Sequence, residues 1–239
     1  MKLHTTGRIG NSHSDLCMIV AQLSGAQVTE NYTTLAEFHA ANANAKAKQA
    51  TLPCLELENG ELLWSSVAIV KYLASFQSQL NGANAWEEAQ VDQWMLILRN
   101  ETQPLVRTIN YQVFGHVETD LNEHTHLYNL LKENLKFVNN SLKGKTHFVG
   151  NHLTIVDIYF TLIQLELQQA TMDTNFRNSM SNLNNHFKSI TGLAEFKKRM
   201  GNVKQGKKQM TPNFGGAAAQ KDLNKAQKKE NSKQKATKQ

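Results

Sequence analysis

The sequence predicts an α/β half followed by an all-α half and a lysine-rich tail. Three observations carry this. Apolar alternation and helical spacing take turns through residues 1–76, in the order β-α-β-α-β-β-α. From residue 85 onward the apolar residues keep helical spacing alone. The charge then changes sign: residues 1–196 hold 13 Lys and Arg against 18 Asp and Glu, whereas residues 197–239 hold 12 Lys and one Arg against Asp222 and Glu230.

The opening segment 1–6 reads as a short strand that ends in the turn-forming run Gly7-Arg8-Ile9-Gly10-Asn11. A helix starts near Ser12 or Ser14, because Leu16, Ile19, Val20 and Leu23 recur at the three- and four-residue spacing that buries one helical face, and Gly25 stops it. Residues 26–32 can form a second strand, and residues 35–50 a polar, loosely packed helix. Leu52-Pro53-Cys54-Leu55-Glu56-Leu57 alternates, Asn59-Gly60 supplies a two-residue turn, and Leu62-Leu63-Trp64 returns as the partner strand. Ser65 and Ser66 then stand where a helix cap belongs, ahead of Val67, Ile69, Val70 and Leu73.

Residues 77–84 are a polar linker. Helices follow at 85–112, 120–142, 154–171, 175–190 and 193–200, with Pro104 expected to kink or end the first. Within that helix Trp86 and Trp94, with Val91, Leu96 and Leu98, read as core, part of their face being available for a dimer contact. Residues 201–239 have little to bury and read as a disordered tail. The domain limits are therefore 1–76, 77–84, 85–200 and 201–239.

Composition narrows the function classes. The overall charge of +6 belongs to the tail, so it does not mark the folded part as a nucleic-acid binder. Only Cys17 and Cys54 are present, which fits a reducing compartment and gives neither a disulfide scaffold nor a cysteine metal site. The apolar run 16–21 is too short for a signal core or a membrane span, so cytoplasmic residence without membrane attachment is expected. The histidines form no metal-ligand pattern, and no phosphate-binding glycine loop with a following Lys is present, so no metal is expected and no nucleotide chemistry by this chain itself.

Three places resemble the glutathione transferase family, with its thioredoxin-like N-terminal subdomain and helical C-terminal subdomain. Leu52-Pro53 resembles the family's cis-proline turn, which offers main-chain groups to glutathione. Trp64-Ser65-Ser66-Val67-Ala68-Ile69 resembles its Glu-Ser-x-Ala-Ile motif, where a helix N-terminus and the serine hydroxyl hold the γ-glutamyl carboxylate. Ser66 takes the serine's place, and Ser65 replaces the glutamate. Leu153-Thr154-Ile155-Val156-Asp157-Ile158 resembles its N-capping motif, with Thr154 and Asp157 at capping-box spacing and Leu153 and Ile158 as a staple. The resemblance implies a glutathione-like pocket at Leu52, Pro53, Ser65 and Ser66. It also implies an activating hydroxyl near the first helix, for which Ser12 and Ser14 are the candidates, although either can equally serve as a helix cap. Glutathione is an optional ligand in this reading, and no cofactor is required.

A narrower likeness, to the gamma-subunit family of elongation factor 1B, rests on Ala21-Gln22-Leu23-Ser24-Gly25-Ala26-Gln27-Val28, His147-Phe148-Val149-Gly150, Asn175-Phe176-Arg177, Asn184 with Phe187, and Phe196 through Gly201-Asn202-Val203. In that family a lysine-rich linker leads to a second folded domain; this chain is expected to end within the linker. The likeness implies a non-catalytic scaffold that docks the exchange-factor subunit and serves elongation factor 1A indirectly. Contacts with an aminoacyl-tRNA synthetase or the ribosome, and homodimerisation, belong to the same implication. Two alternatives stand beside it: a glutathione transferase acting on electrophiles, and an adaptor that uses its basic tail on ribosome or cytoskeleton.

Overall fold

The structure, a computed structural model, describes residues 1–7, 10–42 and 47–214. Strand β1 (Lys2–Thr5) leads to helix α1 (Ser12–Ser24), β2 (Thr29–Tyr32), α2 (Leu35–Ala41), β3 (Cys54–Glu56), β4 (Leu62–Trp64) and α3 (Ser66–Ala74). The sheet order is β2-β1-β3-β4; β2 lies parallel to β1, and the other two pairings are antiparallel. Leu3 and Leu55 sit opposite each other in this register and are fully buried, which seats the sheet against α1 and α3. The α/β half is therefore built as the alternation predicts.

Two details differ. The second strand starts at Thr29, so residues 26–28 lead into it without strand pairing. The β3–β4 connection uses three residues, not two: Leu57 N–H donates to Glu61 O at 2.8 Å and Gly60 N–H to Leu57 O at 3.0 Å, with Gly60 at φ 82°. A tight turn closed by a left-handed glycine fits the sheet's twist as well as an Asn-Gly pair at its centre would, and this one carries the extra residue.

The helical half consists of α4 (Ala85–Ile97), α5 (Gln103–Val113), α6 (Leu121–Ser141), α7 (Ile155–Ala170), α8 (Thr174–Ser179), α9 (Ser181–Thr191) and α10 (Ala194–Met200). The segment expected as one helix over 85–112 passes through a π turn at Leu98–Thr102, and Pro104, which has no N–H to give to the helix, follows directly on that turn at the start of α5. The segment expected over 175–190 divides at Met180, whose φ of −115° and ψ of 59° leave the helical region.

Helix α7 runs through the centre of the helical half, with Ile155, Ile158, Phe160, Ile163 and Leu167 all fully buried. Of the residues read as core in this segment, Val91 of α4 and Leu98 of the π turn are buried and Trp94 packs half-buried on Phe148 with ring centroids 4.9 Å apart. Trp86 and Leu96 are not core: they are 72% and 59% exposed. Helical spacing alone does not say how wide the covered stripe is.

Beyond α10 the chain to Phe214 has no helix or strand, yet it is pinned. Gly206 N–H donates to Gln168 O at 2.8 Å, Pro212 is buried, and the Phe214 ring meets His124 edge-on at 5.8 Å. The tail expected to be disordered therefore begins as a seated strap; its residues 215–239 lie outside the described residues.

Candidate functional site

The first turn of α1, the turn before β3 and the start of α3 meet at one corner. The Leu52–Pro53 peptide bond is cis, with Pro53 buried at the entry to β3. Ser65 precedes α3 with φ 74° and is the one non-glycine residue with positive φ among those described; its side chain makes no cap bond. Ser66 opens α3, is 4% exposed, and faces the first turn of α1. There its hydroxyl lies 3.0 Å from Nδ1 of His13.

The two candidate hydroxyls on α1 have separate surroundings. Ser14 is fully buried and shares a hydrogen bond with the hydroxyl of Thr5, on the sheet side of the helix. Ser12 is half-buried and bonds the carboxyl of Glu166 on α7. Neither caps α1: the cap is Asn11, whose side-chain oxygen accepts from Ser14 N–H at 3.4 Å. The structure thus brings Pro53, Ser65 and Ser66 to one corner, points Ser12 toward α7 and closes Ser14 inside the core.

Five residues outside the predicted set complete the electrostatics. Burial, together with Arg99 and Arg107 across the cleft, pushes the pKa of His13 below its ordinary value. Burial raises that of Glu166, opposed by its bond from Ser12 and by Arg107. Tyr159 donates to Gln103 at 2.6 Å and also meets Arg99, while burial raises its phenol pKa. His13 of the α/β half therefore feels two guanidiniums of the helical half, Arg99 and Arg107. A cavity of about 530 Å³ lies between Ser12, Asp15, Leu162, Glu166 and the strap at Val203 and Gly206. Nothing in local spacing marks His13, Arg99 or Arg107, since each acts on a residue of another element.

Both thiols are removed from chemistry. Cys17 lies fully buried in α1, where burial raises its pKa far above the usual thiol range, and Cys54 is buried in β3 with a pKa pushed up to about 11 by burial and by Glu56. Among the described residues no three His, Cys, Asp or Glu side chains come together as metal ligands would, and no helix is long and apolar enough to cross a membrane.

The Thr154–Asp157 pair is a folding device. The buried Asp157 carboxylate accepts from Thr154 N–H at 2.9 Å, Thr154 Oγ1 at 3.0 Å and Phe148 N–H at 3.1 Å. His186 of α9 adds a fourth donor, Nε2, at 2.9 Å, which ties the α7 N-terminus to α9.

Residues 105–193 match the family model described as glutathione S-transferase, C-terminal domain. Elongation factor 1-gamma of Artemia salina is 27% identical over 190 residues, covering 78% of this chain and 44% of that protein. The Mus musculus protein of the same name is 26% identical over 193 residues with the same coverage. The crystal structure of the GST-like domain of elongation factor 1-gamma from Saccharomyces cerevisiae superposes with a TM-score of 0.77, covering 89% of this chain and 98% of that one at 14% identity. The chain has the GST-like fold of elongation factor 1-gamma.

The chain spans less than half the length of the elongation factor 1-gamma relatives it matches. Enzymes share the fold: a glutathione S-transferase of Methylobacillus flagellatus solved with glutathione bound superposes with a TM-score of 0.66 at 19% identity, over 83% of this chain and 98% of that one. At such identities the structural likeness speaks to fold, and activity has to be argued from the site.

Proposed function

We propose that this chain is a non-catalytic docking subunit of translation elongation factor 1B, which holds the guanine-nucleotide-exchange subunit and thereby supports elongation factor 1A indirectly. The supporting observation is that the two candidate activating hydroxyls are engaged within the protein, Ser14 with Thr5 and Ser12 with Glu166. A thiol-activating hydroxyl has to be free to donate to the sulfur of its substrate. The sequence similarity to elongation factor 1-gamma supports the same reading. In it, residues 1–76 and 85–200 are the two subdomains of the platform, 77–84 joins them, and the lysine-rich 201–239 leads toward further partners, of which a synthetase, the ribosome or a second copy are the classes to test.

The test is binding of the purified chain to the exchange-factor subunit, followed by nucleotide release from elongation factor 1A with and without the chain. A stable complex with no glutathione turnover is expected. Absence of a complex, together with glutathione conjugation that falls in Ser12→Ala or Ser66→Ala, would transfer the assignment to a glutathione transferase. That second reading draws on the hairpin register, which sets Pro53 beside Ser65 at the corner where glutathione would sit.

A further inference from the structure

The charge boundary that composition draws at residue 197 does not coincide with the end of the folded part. Lys197 and Lys198 stand on α10, and Lys204, Lys207 and Lys208 on the strap that Gly206 N–H fastens to Gln168 O at 2.8 Å. Lys188 of α9 joins them: with Lys197 it lines a cavity of about 430 Å³ that is shared with Asn202, Val203 and Gln205 of the strap. The same three strap residues border the cavity at Ser12 and Glu166, which Lys204 also lines. All six lysines are exposed.

This corner carries charge of one sign. Between residues 174 and 214 Glu195 is the only acid against eight Lys and Arg, whereas residues 1–173 hold 11 Lys and Arg against 17 Asp and Glu. Elsewhere on the fold cations are answered: Lys71 by Asp92 at 2.7 Å, Arg199 by Asp15 and Glu30, and the buried Arg177 by Met172 O. Among the described residues none of the six corner lysines is ion-paired. Like charges held together by a packed helix and a pinned strap repel one another, and a polyanion relieves that repulsion.

We propose that the α9–α10 corner and the strap form a docking surface for the phosphate backbone of double-helical RNA, to which the seven lysines beyond residue 214 add charge. The free cations here are lysines, point charges that suit phosphates irrespective of sequence; the two arginines, whose planar forks match carboxylates, are committed to Asp15, Glu30 and Met172 O. No exposed aromatic ring stands between residues 188 and 213, where Phe196 is fully buried, so the surface offers nothing for unpaired bases to stack on and fits a regular backbone instead. Asn202 and Gln205 add neutral amide donors beside Lys188 and Lys197. Gly192 N–H donates to Lys188 O and Ser189 O at 3.2 Å, which covers carbonyls at the end of α9 that would repel a phosphate. The choice of RNA among polyanions rests on reading the chain as a translation-factor subunit; the lysine surface itself does not.

The experiment is fluorescence anisotropy of the whole chain with a labelled RNA duplex of about 20 base pairs, at salt concentrations from about 50 to about 200 mM, with polyglutamate as the competing acidic polymer. Two full-length variants run alongside. The corner variant combines Lys188→Gln, Lys197→Gln, Lys198→Gln and Lys204→Gln; in the tail variant the seven lysines beyond residue 214 are replaced by Gln. Wild type binds the duplex with an affinity that falls steeply with salt. The corner variant binds at least about tenfold more weakly and loses about three to four from the slope of log affinity against log salt, close to one per lysine removed. Its urea midpoint matches that of wild type, since all four side chains are exposed. The tail variant keeps a measurable, salt-dependent affinity. Wild-type affinity and slope in the corner variant would overturn the proposal, as would loss of all binding in the tail variant, or polyglutamate bound more tightly than the duplex at equal charge. Capture of the exchange-factor subunit is read separately: RNA binding without capture leaves the surface standing and removes the docking-subunit reading, and capture without RNA binding does the reverse.

Discussion

Arg199, at the C-terminal end of α10, donates from Nε to the buried carboxylate of Asp15 at 2.7 Å, across 184 residues of sequence. Its terminal nitrogens also grip Glu30 of β2 at 2.6 and 2.8 Å. One guanidinium thereby holds the last helix, the first helix and the edge strand together. The bidentate fork suits this task in a way that a lysine ammonium does not.

Arg199→Ala should cost about 3 kcal/mol at neutral pH, because Asp15 would stay buried without its partner. Burial is the largest influence on Asp15 and raises its pKa, while Arg199 opposes it; removing the arginine raises the pKa further. A carboxyl whose folded-state pKa lies above its unfolded value loses stability as pH rises through that interval. Unfolded Asp15 is common to both proteins, so the deficit relative to wild type should be smaller at acid pH, where folded Asp15 is protonated in both, and larger at neutral pH. Urea midpoints at the two pH values check this; a deficit independent of pH would dissociate it from Asp15.

Asp157→Ala removes the acceptor for four donors, among them His186 Nε2. A loss of about 3 kcal/mol is expected, combining the cap with buried donors left unpaired. His186→Ala should cost less, since the three Thr154 and Phe148 bonds survive. Chemical denaturation of both variants with unchanged m-value tests the order.

Ser14→Ala leaves the Thr5 hydroxyl unpaired in the core and should cost about 1–2 kcal/mol, with glutathione binding unchanged. Ser66→Ala should show the opposite split, a small stability change and altered ligand binding. Thermal melts paired with calorimetry separate the two, and a Ser14→Ala variant with altered ligand affinity would place that residue in the pocket after all.

Neither thiol should react with a disulfide reagent at about pH 8 in the native protein, since the thiolate is the nucleophile and both groups are buried. Both should react at once in denaturant. As pH is raised toward 11, Cys54 should label before Cys17, in line with its pKa of about 11. Rapid labelling of Cys17 in native buffer would contradict its place in the core.

The order of strands and helices was legible because each element buries one face, and the period of that face is written in neighbouring residues. The β3–β4 hairpin, Ser66 at a helix start and the Thr154–Asp157 cap were legible for the same reason: each is complete within a few residues. Ser12 and Ser14 show the limit. Two residues apart at the start of α1, they belong to different environments, one bonded to Glu166 of α7 and one sealed against Thr5 of β1. What packs beside a helix start is not encoded in its own spacing.

By itself, then, the sequence determined the succession of elements, the Thr154–Asp157 cap and the turn that brings Pro53 to the entry of β3. The tertiary structure decided which hydroxyls are engaged, that His13 meets Ser66, that His186 completes the Asp157 cap and that Arg199 closes on Asp15 and Glu30. The physical reason is one of range: periodicity and capping act over a single turn, whereas each of these pairings needs two elements to be packed before either side chain has a partner.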